Sequence, residues 1–527
     1  MKHLFSSVSF SIIFLSLAFT QIPWQPDPLF GTDGIVITDF PDAYDAFFSL
    51  AIQPDGKIVA GGVTEYGSTQ KYVIARYLTD GTLDNTFNGT GSNVHNIGTD
   101  LLDVIYSIGL QDDGKIVAAG RSFNLDKPVF SAARYNADGT LDNTFSGDGK
   151  LTFDISLGSY GCEANEVVIQ PDGKILIGGG AFYGTDLAFG SARFLSDGTP
   201  DNSYGGDGIV VTSIFDYAAT EFGTGLLLLP DGKIIISGAT FNTDLSDVDI
   251  AMIKYNADGT PDMTFGDDGI AKCNIAADYM ACSALQEDGK IILAGFVEGF
   301  DGSSDQDCAI ARFNSDGTPD YSFDGFGWRV IDLSPDYYDI INDVAVQEDG
   351  KILITGYRTV DFDYDLFVLR LNADGSNDSD FGDDGMLIVN ESPTDIGLCL
   401  AIQTDGKIIA AGNTENDENT DMLMVRFTNE EEQQSIENND LVSSINIFPN
   451  PAHDVLELQF NLQGDENISF WLMDIYGRNI KTFSQSEFYL KGENSIRFSL
   501  PENIAAGTYI LVAGNDITKN GVPIIIE

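Results

Sequence analysis

The tripeptide Asp-Gly-Lys recurs seven times in this chain of 527 residues, at Asp55, Asp113, Asp172, Asp231, Asp288, Asp349 and Asp405, with steps of 58, 59, 59, 57, 61 and 56 residues. A period that steady means one supersecondary unit copied seven times, each copy burying its apolar face against its neighbours. It constrains the fold more than any single motif does.

Each copy has the same internal plan. Leu50-Ala51-Ile52-Gln53, then Pro54-Asp55-Gly56-Lys57, then Ile58-Val59-Ala60 is an apolar run, a tight turn and a second apolar run. Pro presets φ, Asp suits the next turn position and Gly accepts positive φ, so the segment predicts an antiparallel hairpin. The Gly five residues after each Lys (Gly62, Gly120, Gly179, Gly238, Gly295, Gly356, Gly412) predicts a bulge or a close backbone approach. A third strand follows, with one basic residue per copy: Arg76, Arg134, Arg193, Lys254, Arg312, Arg370 and Arg426. Six copies then turn at Asp-Gly (Asp80, Asp138, Asp197, Asp258, Asp316, Asp374) and carry Asp-x-x-Phe/Tyr before a short fourth run; Asp84 with Phe87 is the first such pair.

A seventh Asp-x-x-Phe, Asp27 with Phe30, stands alone at the start before Gly34-Ile35-Val36-Ile37, and no Asp-Gly follows Arg426. The chain therefore begins and ends in mid-repeat with complementary pieces. Four short antiparallel strands per copy and complementary ends are what a closed ring requires, since closure leaves no bare sheet edge at the seam. The fold class expected is all-β: residues 27–428 form a seven-bladed β-propeller closed by the N-terminal strand near Gly34 to Asp39, and a small antiparallel β-sandwich follows it. An open solenoid gives the complementary ends no purpose. The pattern resembles the delta-60 repeat family through QPDGKI, AGG and ARYNADGTLDNTF. Gln53, Gln111, Gln170, Gln286, Gln347 and Gln403 fit its first position and Leu229 departs from it. That resemblance implies a propeller and no particular enzymatic activity.

Residues 1–20 have Lys2, a short apolar run from Phe10 to Phe19 and a small-residue end, the pattern of a secretory signal peptide. No later stretch reaches transmembrane length. Residues 429–442 are polar and acidic and read as a solvated linker. Residues 443–527, with Ile447-Phe448-Pro449-Asn450-Pro451, alternating Leu456, Leu458 and Phe460, and Gly507-Thr508-Tyr509, resemble the type A C-terminal sorting domain of the type IX secretion system. The resemblance implies export by that machinery, acting through residues 443–527, to a secreted or outer-membrane-surface location. The end of the chain, Pro523 to Glu527, lacks the basic residue expected of that family.

The formal net charge is −54, from 81 Asp plus Glu against 27 Lys plus Arg, which makes nucleic acid and acidic membranes poor partners. Fourteen of the basic residues sit at the two repeated positions, the Asp-Gly-Lys lysines and the third-strand bases, and are expected to be structural. With His95 the one propeller histidine, His-based zinc sites and Ser-His-Asp triads have no residues to use. Cys162, Cys273, Cys282, Cys308 and Cys399 lack C-x-x-C spacing and read as core fillers, with a Cys273–Cys282 disulfide as the alternative.

The turn acids Asp80 and Asp84 and their equivalents have two readings, calcium ligands or turn aspartates bonding their own backbone, and the second suits their spacing better. The Arg or Lys of the third strand would then latch one of these acids inside each blade. The variable connections share one end of the ring and the stereotyped Asp-Gly turns the other. Variable loops on a rigid ring are where binding is placed. Ligand-binding candidates are Tyr44, Tyr160, Tyr217, Tyr279 and Tyr338. Metal candidates are the spaced pairs Asp247 with Asp249, Asp305 with Asp307, and Asp363 with Asp365. No cofactor is required, and calcium is the one these acids suit. The function expected is a non-catalytic binding or scaffold propeller for a glycan, a peptide or a calcium-bridged partner. The alternatives are a polysaccharide-cleaving enzyme with two carboxylates in the central channel and a purely structural surface role.

Overall fold

The computed structural model describes residues 24–526 except 41–43, 99–101, 125–126, 158–159, 184–185, 215–220, 242–247, 276, 299–304, 336, 417–418, 430–441, 449–454, 463–465, 475–478, 502–503, 505–506 and 515–518. The segments expected to be a signal peptide and, for the most part, a linker lie outside the described residues. The chain divides into two compact units, Met1–Asn429 and Glu430–Glu527.

The first unit is seven four-stranded antiparallel sheets. Blade one comprises Tyr44–Ile52, Ile58–Tyr66, Thr69–Tyr77 and Ser92–His95, paired in chain order, and blades two to six repeat it. Blade seven has three strands from the end of the unit, Asp395–Ile402, Ile408–Glu415 and Thr420–Thr428, and takes its fourth from Ile35–Thr38, with Ile35 opposite Val425 and Thr38 opposite Met422. The first strands of successive blades pack against one another around the whole ring, blade seven against blade one included, so they line the centre. The seam is filled like any other junction: Phe47, Ile58 and Val73 of blade one share a core with Ile409, Met422 and Met424 of blade seven. Each second strand is covered on both faces by neighbouring blades. That is why Ile58, Val59 and Ala60 are a continuous apolar run, all fully buried, rather than an alternating one. Removing each such aliphatic side chain from water stabilises by about 1.5–3 kcal/mol.

The repeated Gly answers both expectations for it. The first strand of every blade bulges, between Phe47 and Ser49 in blade one, and Gly62 faces the bulge; a Cβ there would lie 1.9 Å from the Ala46 carbonyl oxygen. All five cysteines are unbonded. Cys273 ends the outer strand of blade four and Cys282 lies in the first strand of blade five, so the disulfide alternative is replaced by separate thiols.

The second unit has a three-stranded sheet (Val442–Phe448, Val455–Leu462, Gly492–Ser499) and a four-stranded sheet in the order Asn479–Tyr489, Glu466–Asp474, Gly507–Gly514, Lys519–Ile526. Leu456, Leu458, Phe460 and Leu462 alternate inward to meet Ile468, Phe470 and Leu472. That alternation is the signature of sheets with one buried face.

Candidate functional site

The recurrent charges are used up at the Asp-Gly end of the ring. Arg76 donates from Nε to Asp84 Oδ2 at 2.8 Å, its guanidinium lies 4.8 Å from the Phe87 ring centre, and it reaches the Ala137 carbonyl of the next blade at 2.5 Å. One side chain thus joins its own Asp-x-x-Phe motif to its neighbour's Asp-Gly turn. Arg134 does the same with Asp142, Phe145 and Ser196, Arg193 with Asp201, Tyr204 and Ala257, and Arg312 with Asp320, Phe323 and Ala373. Lys254 is too short for the full set: it sits over Phe265 and reaches Ser315 O, and Lys233 takes Asp262 instead. Arg370 pairs with Asp378 and packs between Phe381 and Trp24, where blade seven has no Asp-Gly turn to offer. Arg426 bonds Asp27 and the Thr79 carbonyl, crossing the seam.

The turn acids bond their own turns. Asp80 Oδ1 accepts from Thr82 N and Oγ1; Asp84 Oδ1 accepts from Thr86 N and Oγ1, and its Oδ2 meets Arg76 with Lys57 at 3.5 Å. Burial alone would raise the Asp84 pKa, but these hydrogen bonds and the Arg76 charge hold it down at about 2. A cleft of about 1130 Å³ opens at this end across blades four to six, lined by repeat residues such as Asp288, Lys290 and Gln347.

The first strands place a ring of blade-to-blade staples in the central channel. The residue just after the bulge in successive blades is Ser49, Ser107, Glu166, Gly225, Cys282, Asp343 and Cys399. Ser49 Oγ accepts from Ile108 N, Ser107 Oγ from Val167 N, Glu166 Oε2 from Leu226 N at 2.5 Å and Asp343 Oδ2 from Leu400 N at 2.7 Å, each reaching the following blade. Burial, with the Asp343 charge adding to it, pushes Glu166 up to about 8; burial pushes Asp343 up to about 7. Sequence reading missed the two acids of this column, Glu166 and Asp343, which stand six residues before an Asp-Gly-Lys Asp as Ser49, Ser107, Gly225, Cys282 and Cys399 do.

The opposite end carries the variable loops. Tyr44, Tyr160 and Tyr338 are exposed there, at 43 %, 56 % and 48 %, and Tyr279 stacks on Phe296 with ring centres 4.8 Å apart. Each stands on a different blade, while Tyr217 and Asp247 lie outside the described residues. Of the spaced acids, Asp249 accepts from Asn274 at 2.6 Å, Asp305 and Asp307 are buried, Asp363 is exposed, and Asp365 is ion-paired to Arg358 at 2.9 Å. Sequence reading missed the aspartates ten residues before five of the Asp-Gly-Lys turns, of which Asp45, Asp103, Asp339 and Asp395 are fully buried and hold the loop that enters their blade. Asp339 Oδ2, for instance, accepts from Leu333 N and Ser334 N. Counting back from each turn would have revealed the column.

Blade six is the most pronounced part of this end. Its hairpin turns on Asp361 and Phe362, at φ 52° and 76°, and Phe362 is 84 % exposed with Tyr337 edge-on at 6.2 Å. Two positive φ values make a type I′ turn, which ordinarily takes Asn-Gly.

The repeat copies at 53–87, 111–145, 170–204, 229–265, 286–323, 347–381 and 403–430 match the family described as a domain of unknown function (DUF5122) beta-propeller. The chain belongs to this family. Residues 446–527 of this DUF5122 propeller chain match the secretion system C-terminal sorting domain, which marks it as a secreted or cell-surface protein handled by the type IX machinery. No curated protein matches it. Among solved structures it is similar to PorZ, described as an essential surface component of the type-IX secretion system of Porphyromonas gingivalis, at 12 % identity and TM-score 0.27 over 89 % of this chain and 68 % of that one. It is also similar to Sqt1 from Chaetomium thermophilum (12 %, TM-score 0.38, 72 % of this chain and 96 % of that one). A third is an endo-arabinase from Bacteroides thetaiotaomicron (11 %, TM-score 0.30, 60 % and 91 %). Among the described residues no helix is long and apolar enough to cross a membrane.

Proposed function

We propose that this DUF5122 propeller is a non-catalytic binding scaffold at the cell surface or outside it, taking a carbohydrate ligand on its variable-loop end. The observation that carries the reading is Phe362, a bulky side chain held almost wholly in solvent on a left-handed backbone. That conformation costs an L residue roughly 1–2 kcal/mol, and nothing in the ring's packing needs it. Blade one turns its equivalent hairpin on Gly67 at φ 66° without that cost. Phe362, Tyr337 and the exposed Tyr338 offer flat apolar faces, the tyrosines with a polar edge, which suit the C–H faces of sugar rings. A peptide or a calcium-bridged partner would engage the same loops through their acids.

The enzymatic alternative rests on Glu166 and Asp343, two channel carboxyls with raised pKa values. Ser49 and Ser107 perform the identical hydrogen bond at equivalent positions. Stapling blades is the task that Ser49, Ser107, Glu166 and Asp343 share, and it accounts for the acids without chemistry.

The test is binding of the full chain to a panel of soluble polysaccharides by affinity electrophoresis, with Phe362→Ala and Tyr338→Ala beside it. Retardation by a glycan that Phe362→Ala abolishes at unchanged melting temperature is the expected result. Retardation indifferent to both variants, or none on any glycan, overturns the carbohydrate reading; cleavage products that vanish with Glu166→Gln would establish the enzyme.

A further inference from the structure

The variable-loop end brings together acids that the sequence keeps far apart. In blades four to seven the residue five before the latch base is an aspartate: Asp249, Asp307, Asp365 and Asp421. Beside it comes the residue just after the outer strand, and from the following blade the buried loop-holding aspartate. At two junctions all three are carboxylates. Asp421 and Asp39 of blade seven meet Asp45 of blade one, and Asp307 and Asp332 of blade five meet Asp339 of blade six; in each set the ligand oxygens lie within 4.8 Å of one another.

The other junctions show how this chain normally settles such a place. Between blades six and seven the set is Asp365, Asn390 and Asp395: Arg358 pairs with the first, the Asn390 amide donates to it at 2.5 Å, and Asp395 Oδ1 accepts from Thr414 and Ser392 hydroxyls. Between blades two and three, Asp154 is paired with Lys127 at 2.5 Å. Between blades one and two, Lys71 takes the third-strand place and Asn96 donates to Asp103 at 3.0 Å. A basic or amide side chain answers the acid each time.

At the seam, amides answer two of the three acids, Asn416 donating to Asp421 Oδ2 at 2.6 Å and Asn419 to Asp39 Oδ1 at 3.4 Å, yet Asp45, Asp421 and, at the other junction, Asp339 each keep a bare oxygen. Asp39, Asp45, Asp332, Asp339 and Asp421 form no ion pair among the described residues. Asp45, Asp339 and Asp421 are 0 %, 0 % and 6 % exposed, and each has one oxygen tied to its loop and one oxygen, Oδ1, with no hydrogen-bond partner. Phe40 N donates to Asp45 Oδ2, Leu333 N and Ser334 N to Asp339 Oδ2, and Asn416 Nδ2 to Asp421 Oδ2. Three buried carboxylates with a bare oxygen apiece are costly unless a cation takes them.

We propose that each of these junctions binds one hard divalent cation of the calcium class, held by Asp39, Asp45 and Asp421 at the seam and by Asp307, Asp332 and Asp339 between blades five and six. Carboxylate oxygens converging from separate elements, with coordination completed by water and carbonyl groups, are what calcium takes and what magnesium, with its strict octahedron, accepts poorly. The seam site ties the N-terminal strand, blade seven and blade one together at the end opposite the Arg426–Asp27 pair, so the ring is fastened at both ends. A secreted protein meets calcium at levels where an affinity on the order of 10⁻⁴ M suffices.

The experiment is calcium titration of the full chain after chelator treatment, by isothermal calorimetry with a parallel melting curve, on the parent and on Asp421→Asn and Asp339→Asn. The parent is expected to bind calcium and to melt higher with it. Each variant should lose one ion from the stoichiometry, and the two together should lose the calcium-dependent rise. Asp39→Asn and Asp332→Asn change exposed members of the same sets and serve where a buried variant does not fold; each should weaken its site about tenfold. Absence of calcium binding by the parent, or a stoichiometry that the variants leave unchanged, overturns the proposal. Magnesium bound as tightly as calcium overturns the assignment of the ion.

Discussion

Arg426 donates from Nε to Asp27 Oδ2 at 2.8 Å across 399 positions of sequence, and its NH2 nitrogen lies 2.8 Å from the same oxygen. Both partners are buried, at 6 % and 3 % side-chain exposure. The same guanidinium bonds Thr79 O of blade one, so the pair closes blade seven and locks the ring in one step. Asp27→Ala strands a buried cation at the seam and is expected to cost about 3–5 kcal/mol. Limited proteolysis should then cut the strand Ile35–Thr38 free well before the rest of the propeller. A variant as protease-resistant and as stable as the parent would show the seam to be held by packing alone.

Arg193→Ala removes one internal latch, leaving Asp201 with Lys174 at 3.5 Å as its remaining cation. That residual pairing puts the expected loss near the lower end for a buried pair, about 3 kcal/mol. For a unit of this size it amounts to a melting point lower by roughly 4 °C. Arg193→Lys should lose less, since blade four works with Lys254 over Phe265. A melting temperature unchanged by Arg193→Ala would remove the latch from the account of stability.

The dependence on pH runs in two directions. Asp84, Asp142, Asp201 and Asp262 are held at about 2 in the fold, below the ordinary aspartate value of 3.8. The unfolded chain therefore takes up their protons first, and the stability they contribute above about pH 4 is lost as the pH falls toward 2. Glu166 and Asp343 are raised to about 8 and about 7, so there the folded state binds protons more readily, and stability falls as the pH rises from about 4 toward 8. The melting temperature should peak in mildly acid solution. Glu166→Gln keeps an acceptor for Leu226 N and removes the charge, so it should flatten the alkaline side of that peak; a steeper alkaline decline in this variant would contradict the staple role.

What the sequence made legible follows from repetition. Turn chemistry, the latch bases and the Asp-x-x-Phe aromatics recur at fixed spacing, and each answers a need common to all blades; the aromatic, for one, is the surface on which the next blade's Asp-Gly turn rests, as Phe87 shows beneath Gly139, where an added Cβ would lie 2.7 Å from the ring. The acids at the junctions are harder to read because their partners differ from blade to blade. Asp421 is answered by Asp39 and Asp45, whereas Asp365, in the same column, is answered by Arg358 and Asn390. The spaced pairs looked like units because neighbours in sequence were taken for neighbours in a site, yet Asp307 is grouped with Asp332 and Asp339 from other strands. Phe362 was invisible for a different reason: nothing in the sequence announces an exposed aromatic on a left-handed backbone.

The repeated Gly offers a sharper test of the ring's geometry than any charge. Gly62 lies opposite the bulge of the first strand, where an added methyl would sit 1.9 Å from Ala46 O, a backbone atom that has no rotamer to escape into. Relief would require the bulge to straighten, which would carry Ser49 away from the Ile108 N–H it accepts in the next blade. Gly62→Ala is therefore expected to destabilise by more than about 3 kcal/mol, as overpacking against fixed backbone does at its upper end. Gly67, in the loop of the same blade, has positive φ and open space around its Cβ position, so Gly67→Ala should cost only the backbone term, about 1 kcal/mol. Chemical denaturation of the two variants separates strain at the bulge from the conformational cost of losing a glycine; equal losses would mean that the close approach at Gly62 is relieved without disturbing the staple.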